Sequence, residues 1–140
     1  AFKERGIVVL CRTSNPGSNW LQNRTEDGQP TYLRVAEKVR EWDTAEQCML
    51  VTGATYPDEL AKVRAVVGSL PLLVPGIGAQ GGSIQQVLKS GLDSDGVGLV
   101  ISSSRAIIFA DSGPDYANAA ASAAHLAMQE INKYRKISVN

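Results

Sequence analysis

A chain of 140 residues that is 44% hydrophobic and 20% charged can bury one ordinary core and is too apolar for a disordered segment. Lys plus Arg number 14, as do Asp plus Glu, so no basic field is available to attract nucleic acid or an anionic membrane. No apolar run approaches the length a bilayer requires, and Ala1-Phe2-Lys3-Glu4-Arg5 lacks the apolar core of a secretion signal. The expected location is intracellular, in the cytoplasm. Cys11 and Cys48 both sit in apolar strand-like runs and read as buried free thiols.

Four β-then-α units follow one another. Ile7 to Cys11 is a β-branched run, followed by a polar segment, Thr13 to Pro30, that is long for a connection and reads as functional or mobile. A helix is predicted from about Tyr32 to Trp42, with Arg34, Glu37, Lys38, Arg40 and Glu41 as a solvated, paired face. Cys48 to Val51 is the second strand. The helix after it opens at Pro57-Asp58-Glu59, a favourable first turn, and carries Leu60, Val63 and Val67 at helical spacing. Leu72 to Val74 is the third strand. Ser83 caps a short helix with Ile84, Val87 and Leu88 on one face. Val97 to Ile101 is the fourth strand. A last helix is predicted from about Pro114 to Arg135, with Tyr116, Ala120, Ala123, Ala127, Ile131 and Tyr134 as its apolar stripe and His125 on its surface.

Continuous apolar strands separated by helices predict a parallel sheet covered on both faces. Four such units make either an open doubly wound sheet or half of a (β/α)8 barrel, since a whole barrel needs about 250 residues. In both, the working groups lie at the carboxyl ends of the strands. Those ends carry Arg12-Thr13-Ser14-Asn15, Thr52-Gly53-Ala54, Pro75-Gly76-Ile77-Gly78 and Ser102-Ser103-Ser104-Arg105.

Pro75 to Gly82 is neither a Walker A motif nor a dinucleotide fingerprint. Its glycines make it a tight turn or an anion cradle, and Gln80 adds an amide donor. Arg105 follows a strand end; its planar fork suits a phosphate, and the plain alternative is a surface salt bridge. Thr13 and Ser14 fit ordinary turn chemistry and, equally, hydrogen bonding to the edge of a planar base. No His/Cys/Asp/Glu cluster has metal-ligand spacing.

In order, Cys11-Arg12-Thr13-Ser14-Asn15-Pro16-Gly17-Ser18, Val51-Thr52-Gly53-Ala54-Thr55, Leu73-Val74-Pro75-Gly76-Ile77-Gly78-Ala79-Gln80-Gly81-Gly82 and Ser104-Arg105-Ala106-Ile107 resemble orotidine 5′-phosphate decarboxylase, in the branch of many bacteria and some protozoa. The resemblance runs from Gly6 to about Lys136. It implies a (β/α)8 barrel that works as a homodimer without metal or organic cofactor. The implied reaction converts orotidine monophosphate to UMP and carbon dioxide in pyrimidine synthesis. Gln80 and Arg105, with backbone N–H groups around Gly78 and Ser104, are implied to hold the 5′-phosphate. Ser14, with Thr13 beside it, is implied to read the pyrimidine amide edge, and Pro75 to pack near the base.

The chain departs from that pattern in one respect. The Asp/Lys network of the family, with its Asp-x-Lys-x-x-Asp motif, is absent, and no lysine stands at any of the four strand ends. A carbanion-like centre needs stabilisation and then a proton, which an ammonium supplies and an arginine does not. Residues 1–140 are therefore expected to form a single partial domain, the last four βα units of the barrel. No catalytic residue is expected in this chain, and it should be inactive alone and complemented by an N-terminal half. The alternative is a non-catalytic nucleotide-monophosphate-binding half-barrel, or a purely structural one.

Overall fold

The computed structural model describes residues 4–77 and 81–135. In chain order it contains β1 (Ile7–Arg12), a 3₁₀ turn at Pro16–Ser18, α1 (Asn19–Gln22), β2 (Thr25–Glu26), β3 (Gln29–Pro30) and α2 (Thr31–Trp42). There follow β4 (Cys48–Thr52), α3 (Pro57–Val67), β5 (Leu72–Pro75), α4 (Ile84–Gly91), β6 (Leu99–Ser102), α5 (Ser104–Ile108) and α6 (Tyr116–Arg135).

Strands β1, β4, β5 and β6 form one parallel sheet in that order. Each strand lies beside its predecessor in the sheet, with no point at which the order reverses. Crossovers of one hand then place the connecting helices α2, α3 and α4 on the same face. The core bears this out: Cys11, Leu50, Leu72 and Val74 from the strands pack with Tyr32, Ala36 and Val39 of α2, Leu60 and Val63 of α3, and Val87 and Leu88 of α4. A doubly wound sheet carries helices on both faces. The architecture is that of four βα units of a barrel.

Among the described residues, helices cover only one of the two strand faces that the apolar runs predict to be covered. In β4, Cys48, Leu50 and Thr52 are buried while Met49 and Val51 are half-exposed, and β5 alternates likewise. The register aligns Leu10, Val51, Leu73 and Val100 in one row across the open face. Leu10 is 66% and Val100 46% exposed. Helices cover one side; on the other the apolar runs have no second layer among the described residues.

Local signals explain most element ends. Pro57 opens α3 with Asp58 and Glu59 in its first turn, and Gly68, at φ +61°, ends it with its N–H donating to the Arg64 carbonyl. The Ser83 hydroxyl accepts from the Gln86 N–H at the start of α4. The fourth strand begins at Leu99 rather than Val97 because Gly96 and Gly98 take φ of +71° and +85°, outside the β region. The segment Thr13 to Pro30 is structured throughout most of its length. Asp27 (φ 54°) and Gly28 (φ 79°) form the two-residue turn of a small antiparallel hairpin between β2 and β3. Asp-Gly is a strong signal for such a turn. Arg34 ion-pairs with Glu26 of this hairpin, so it leaves the paired helix face predicted for it, whereas Lys38 and Glu41 pair along α2 as expected. The last helix begins at Tyr116, which is exposed, and no residue of α6 is fully buried. Ile131 and Tyr134 are its partly buried anchors to the core.

Both cysteines are free and buried. Burial pushes the Cys11 thiol up to about 12, against the opposing charge of Arg12, and its Sγ donates to the Tyr32 carbonyl at 3.1 Å. At pH 8 the thiolate fraction is then about one in 10,000, and the thiolate is the reactive form. Cys11 is expected to resist iodoacetamide in the folded chain and to react once the chain is denatured; peptide mass mapping of both samples checks this. Rapid labelling of folded Cys11 would contradict its burial.

Candidate functional site at the carboxyl edge of the sheet

The parallel sheet gathers four strand ends on one edge, and the polar residues of the chain collect there. At the β5–β6 end, Pro75 stands opposite Ser102 in register. A cavity of about 200 Å³ opens between Pro75, Gly76, Ile77 and the Ser102–Arg105 turn. The turn at β5 is held by backbone: the Pro75 carbonyl accepts from Ala54 N–H at 2.9 Å, and the Gly76 carbonyl from Gly82 N–H at 3.3 Å. Gly76 has φ +97° and Gly81 +86°, a backbone that glycine adopts without strain.

Gly82 is required for a different reason. A Cβ there would lie 2.5 Å from Ala54 Cβ and 2.8 Å from the Gly76 carbonyl oxygen. Both are fixed to backbone, so Gly82→Ala is expected to push the turn off the end of β4 and to cost about 1–3 kcal/mol. Urea denaturation measures the loss; a variant within about 0.5 kcal/mol of the parent chain would show that the turn yields freely.

Arg105 sits in the first turn of α5, not in an irregular turn as its serine-rich context suggested. Its side chain is exposed, and among the described residues no carboxylate pairs with it. The surface salt bridge that was its plain alternative is therefore not formed among them. Ser104, also exposed, precedes it. Gly78 and Gln80, singled out in the sequence, lie outside the described residues.

Thr13 and Ser14 lie on the same edge but three strand spacings away, roughly 14 Å along the sheet. They do not line the cavity beside Arg105. Ser14 is seated against Gly53: a Cβ on Gly53 would stand 3.0 Å from both the N and Cβ of Ser14. The Thr13 hydroxyl donates to Asn15 Oδ1 at 2.6 Å and accepts from Gln22 Nε2 at 3.0 Å. Its N–H donates to Gln22 Oε1 at 3.0 Å. Thr13 thus spends its hydrogen bonds inside its own loop.

Two arginines that sequence reading left without a role proved to be interior. Arg12 is fully buried and ion-pairs through Nε with Glu59 of α3. Arg64 is buried on α3 and donates to backbone carbonyls. Its position was legible: residues 60, 63, 64 and 67 share one helical face.

Lysine is absent from this edge among the described residues. Lys38, Lys62, Lys89 and Lys133 all lie on helices α2, α3, α4 and α6. No group of His, Cys, Asp and Glu able to hold a metal ion occurs among the described residues. No helix among them is long and apolar enough to cross a membrane.

The same arrangement recurs in known proteins. The orotidine 5′-phosphate decarboxylase of Cupriavidus taiwanensis is 52% identical over 136 residues, which is 96% of this chain and 50% of the relative. This chain is homologous to half of an orotidine 5′-phosphate decarboxylase. A solved structure of the Leishmania donovani OMP decarboxylase matches 96% of the chain and 50% of its own length, with 38% identity and a TM-score of 0.80. The UMP synthase of the same organism matches with 41% identity and a TM-score of 0.83, over 96% of the chain and 29% of its own length. No family model matches the chain. The chain spans about half the length of the curated decarboxylases it matches. Four βα units and half the length of a decarboxylase agree with one another.

Proposed function

We propose that residues 1–140 are one partial domain, the C-terminal half of an orotidine 5′-phosphate decarboxylase barrel, and that this half grips the nucleotide. The observation that carries this reading is Arg105, exposed and without a carboxylate partner among the described residues, beside the glycine turn after β5. Its guanidinium and the Ser104 N–H would take the 5′-phosphate, with Gln80 and the Gly78 N–H from the turn. Ser14, braced by Thr13, would read the amide edge of the pyrimidine. Pro75, half-buried between them, would supply an apolar wall near the base and the substrate carboxylate.

The division of labour follows from the chemistry. Loss of carbon dioxide leaves charge on a ring carbon that needs a nearby cation and a proton donor. No described lysine reaches the carboxyl edge, so the Asp/Lys network would come from an N-terminal half. The open row Leu10, Val51, Leu73 and Val100 is the surface that such a half would cover. The phosphate grip is remote from the bond that breaks, and its binding energy serves to orient the base. In the cytoplasm, the assembled enzyme would be a homodimer working without metal or organic cofactor.

Calorimetric titration of the purified chain with UMP and with uridine tests the reading. UMP is expected to bind and uridine, lacking the phosphate, to bind at least tenfold more weakly. The chain alone is expected to leave orotidine monophosphate absorbance unchanged. Equal affinity for UMP and uridine would remove the phosphate grip; turnover by the chain alone would remove the division of labour.

A further inference from the structure

The segment that carries Thr13 and Ser14 lacks an apolar anchor. No residue of α1 is buried, and Trp20 is 75% exposed. A connection of this length without a hydrophobic tether would ordinarily be loose. It is held instead by one buried cation. Arg12 donates through Nη1 to Ser18 Oγ at 2.5 Å, to Gln22 Oε1 at 3.0 Å and to the Thr13 carbonyl at 3.1 Å. Through Nη2 it donates to Asn19 Oδ1 at 2.5 Å. Its guanidinium stacks on the Tyr56 ring, 4.2 Å from the centroid. Nε pairs with Glu59, whose other oxygen accepts from Asn23 Nδ2 at 3.2 Å. Both ends of the segment are therefore tied to the first turn of α3.

From this geometry we propose that Arg12 and Glu59 are a positioning pair: they fix the 13–23 segment to α3 so that Ser14 stands at a set place over Gly53 for the edge of the base. The proposal rests on the reading of Ser14 given above. A buried ion pair is a poor source of stability, because desolvation offsets its attraction. What the fork supplies is direction. Its donors leave in one plane and meet acceptors from successive turns of the segment, while the stem stays in the strand. Lysine would keep the charge and lose that plane. Ser18 relays the restraint, its hydroxyl donating in turn to the Thr13 carbonyl at 3.1 Å. Gln22 binds both Arg12 and the Thr13 N–H, and Arg12 and Ser18 bind the Thr13 carbonyl, so Thr13 is clamped through both of its backbone polar groups just before Ser14.

Because the pair would act only through the base-reading segment, it should affect base-dependent affinity and spare the phosphate. The test measures UMP and ribose 5-phosphate binding to the chain, to Glu59→Gln, to Arg12→Lys and to Ser14→Ala, with circular dichroism to confirm folding. Glu59→Gln keeps the size and an acceptor, and is the variant most certain to fold. The expected result is a tenfold or greater loss of UMP affinity in Glu59→Gln and Arg12→Lys, with ribose 5-phosphate affinity within twofold of the parent. A parallel loss of both ligands would mean a general structural role and would overturn the proposal. An unchanged ratio in Glu59→Gln, with a lowered ratio in Ser14→Ala, overturns the positioning pair alone. An unchanged ratio in Ser14→Ala overturns the base-edge reading on which the proposal rests.

Discussion

Arg105→Ala is expected to weaken UMP binding by this chain roughly 30- to 1,000-fold, a loss of about 2–4 kcal/mol, the scale of a charge-assisted bidentate contact. The side chain is exposed at the start of α5, and no carboxylate among the described residues competes for it. Removing it should therefore leave the folded state within about 0.5 kcal/mol of the parent while stripping the anion of its main cation. Arg105→Lys should recover part of the loss, because an ammonium keeps the charge but not the planar fork. Added salt should narrow the gap between the parent chain and the alanine variant, since an exposed charge is screened. In a complete decarboxylase the same substitution should lower kcat/KM by a similar factor, because the proposed grip on the phosphate would orient the base in the transition state. Calorimetry with UMP on the three chains is the measurement. Unchanged affinity in the alanine variant would place the phosphate elsewhere.

Arg64→Met should produce a large loss of stability. Arg64 donates through Nε to the Gly91 carbonyl at 2.7 Å, and through Nη1 to Gly68 at 2.5 Å and Leu70 at 2.8 Å. Nη2 reaches the Gly98 carbonyl at 2.8 Å. These carbonyls belong to the end of α3, the entry to β5, the end of α4 and the entry to β6. One side chain thus joins two successive βα crossovers at the amino edge of the sheet, opposite the candidate site. Burial pushes the guanidinium pKa down, with the charge of Asp93 opposing, so the cation is held chiefly by carbonyl dipoles. Methionine keeps much of the stem but removes the donors: the Gly98 carbonyl still accepts from Leu72 N–H, whereas the Gly68, Leu70 and Gly91 carbonyls lose Arg64, each costing about 1–3 kcal/mol where water cannot replace the donor. Partial rehydration at the rim brings the expected total to about 3–5 kcal/mol, a large share of a domain stability of about 5–15 kcal/mol. A thermal melt should move down by about 10 °C or more. A shift of one or two degrees would show that water serves these carbonyls as well as Arg64 does.

Much of this architecture is written in local chemistry. Pro57 with two acids behind it, Ser83 as a cap, and the apolar runs at Ile7, Cys48 and Leu72 act within a few residues of themselves. Each therefore appears in the structure where the sequence placed it. The strand ends were legible for the same reason: a parallel βα repeat sends every carboxyl end to one edge, whatever the neighbouring units do. The motifs around Thr13, Gly53, Pro75 and Arg105 also carried the resemblance to half a decarboxylase, which the homologues bear out.

What the sequence left undetermined depends on partners distant along the chain. Arg12 looked like one more polar residue at a strand end, and only the approach of α3 turns it into a buried cation paired with Glu59, 47 residues away. Arg64 becomes a clamp only when two crossovers bring four carbonyls around it. The same apolar strands suit a sheet covered on both faces or on one. Among the described residues, strand order puts the crossover helices α2, α3 and α4 on one side and leaves Leu10, Val51, Leu73 and Val100 in an open row. Propensity, capping and turn chemistry are short-range and can be read residue by residue. Burial of a charge and the coverage of a face are set by what the rest of the chain brings beside them, and that is decided in three dimensions.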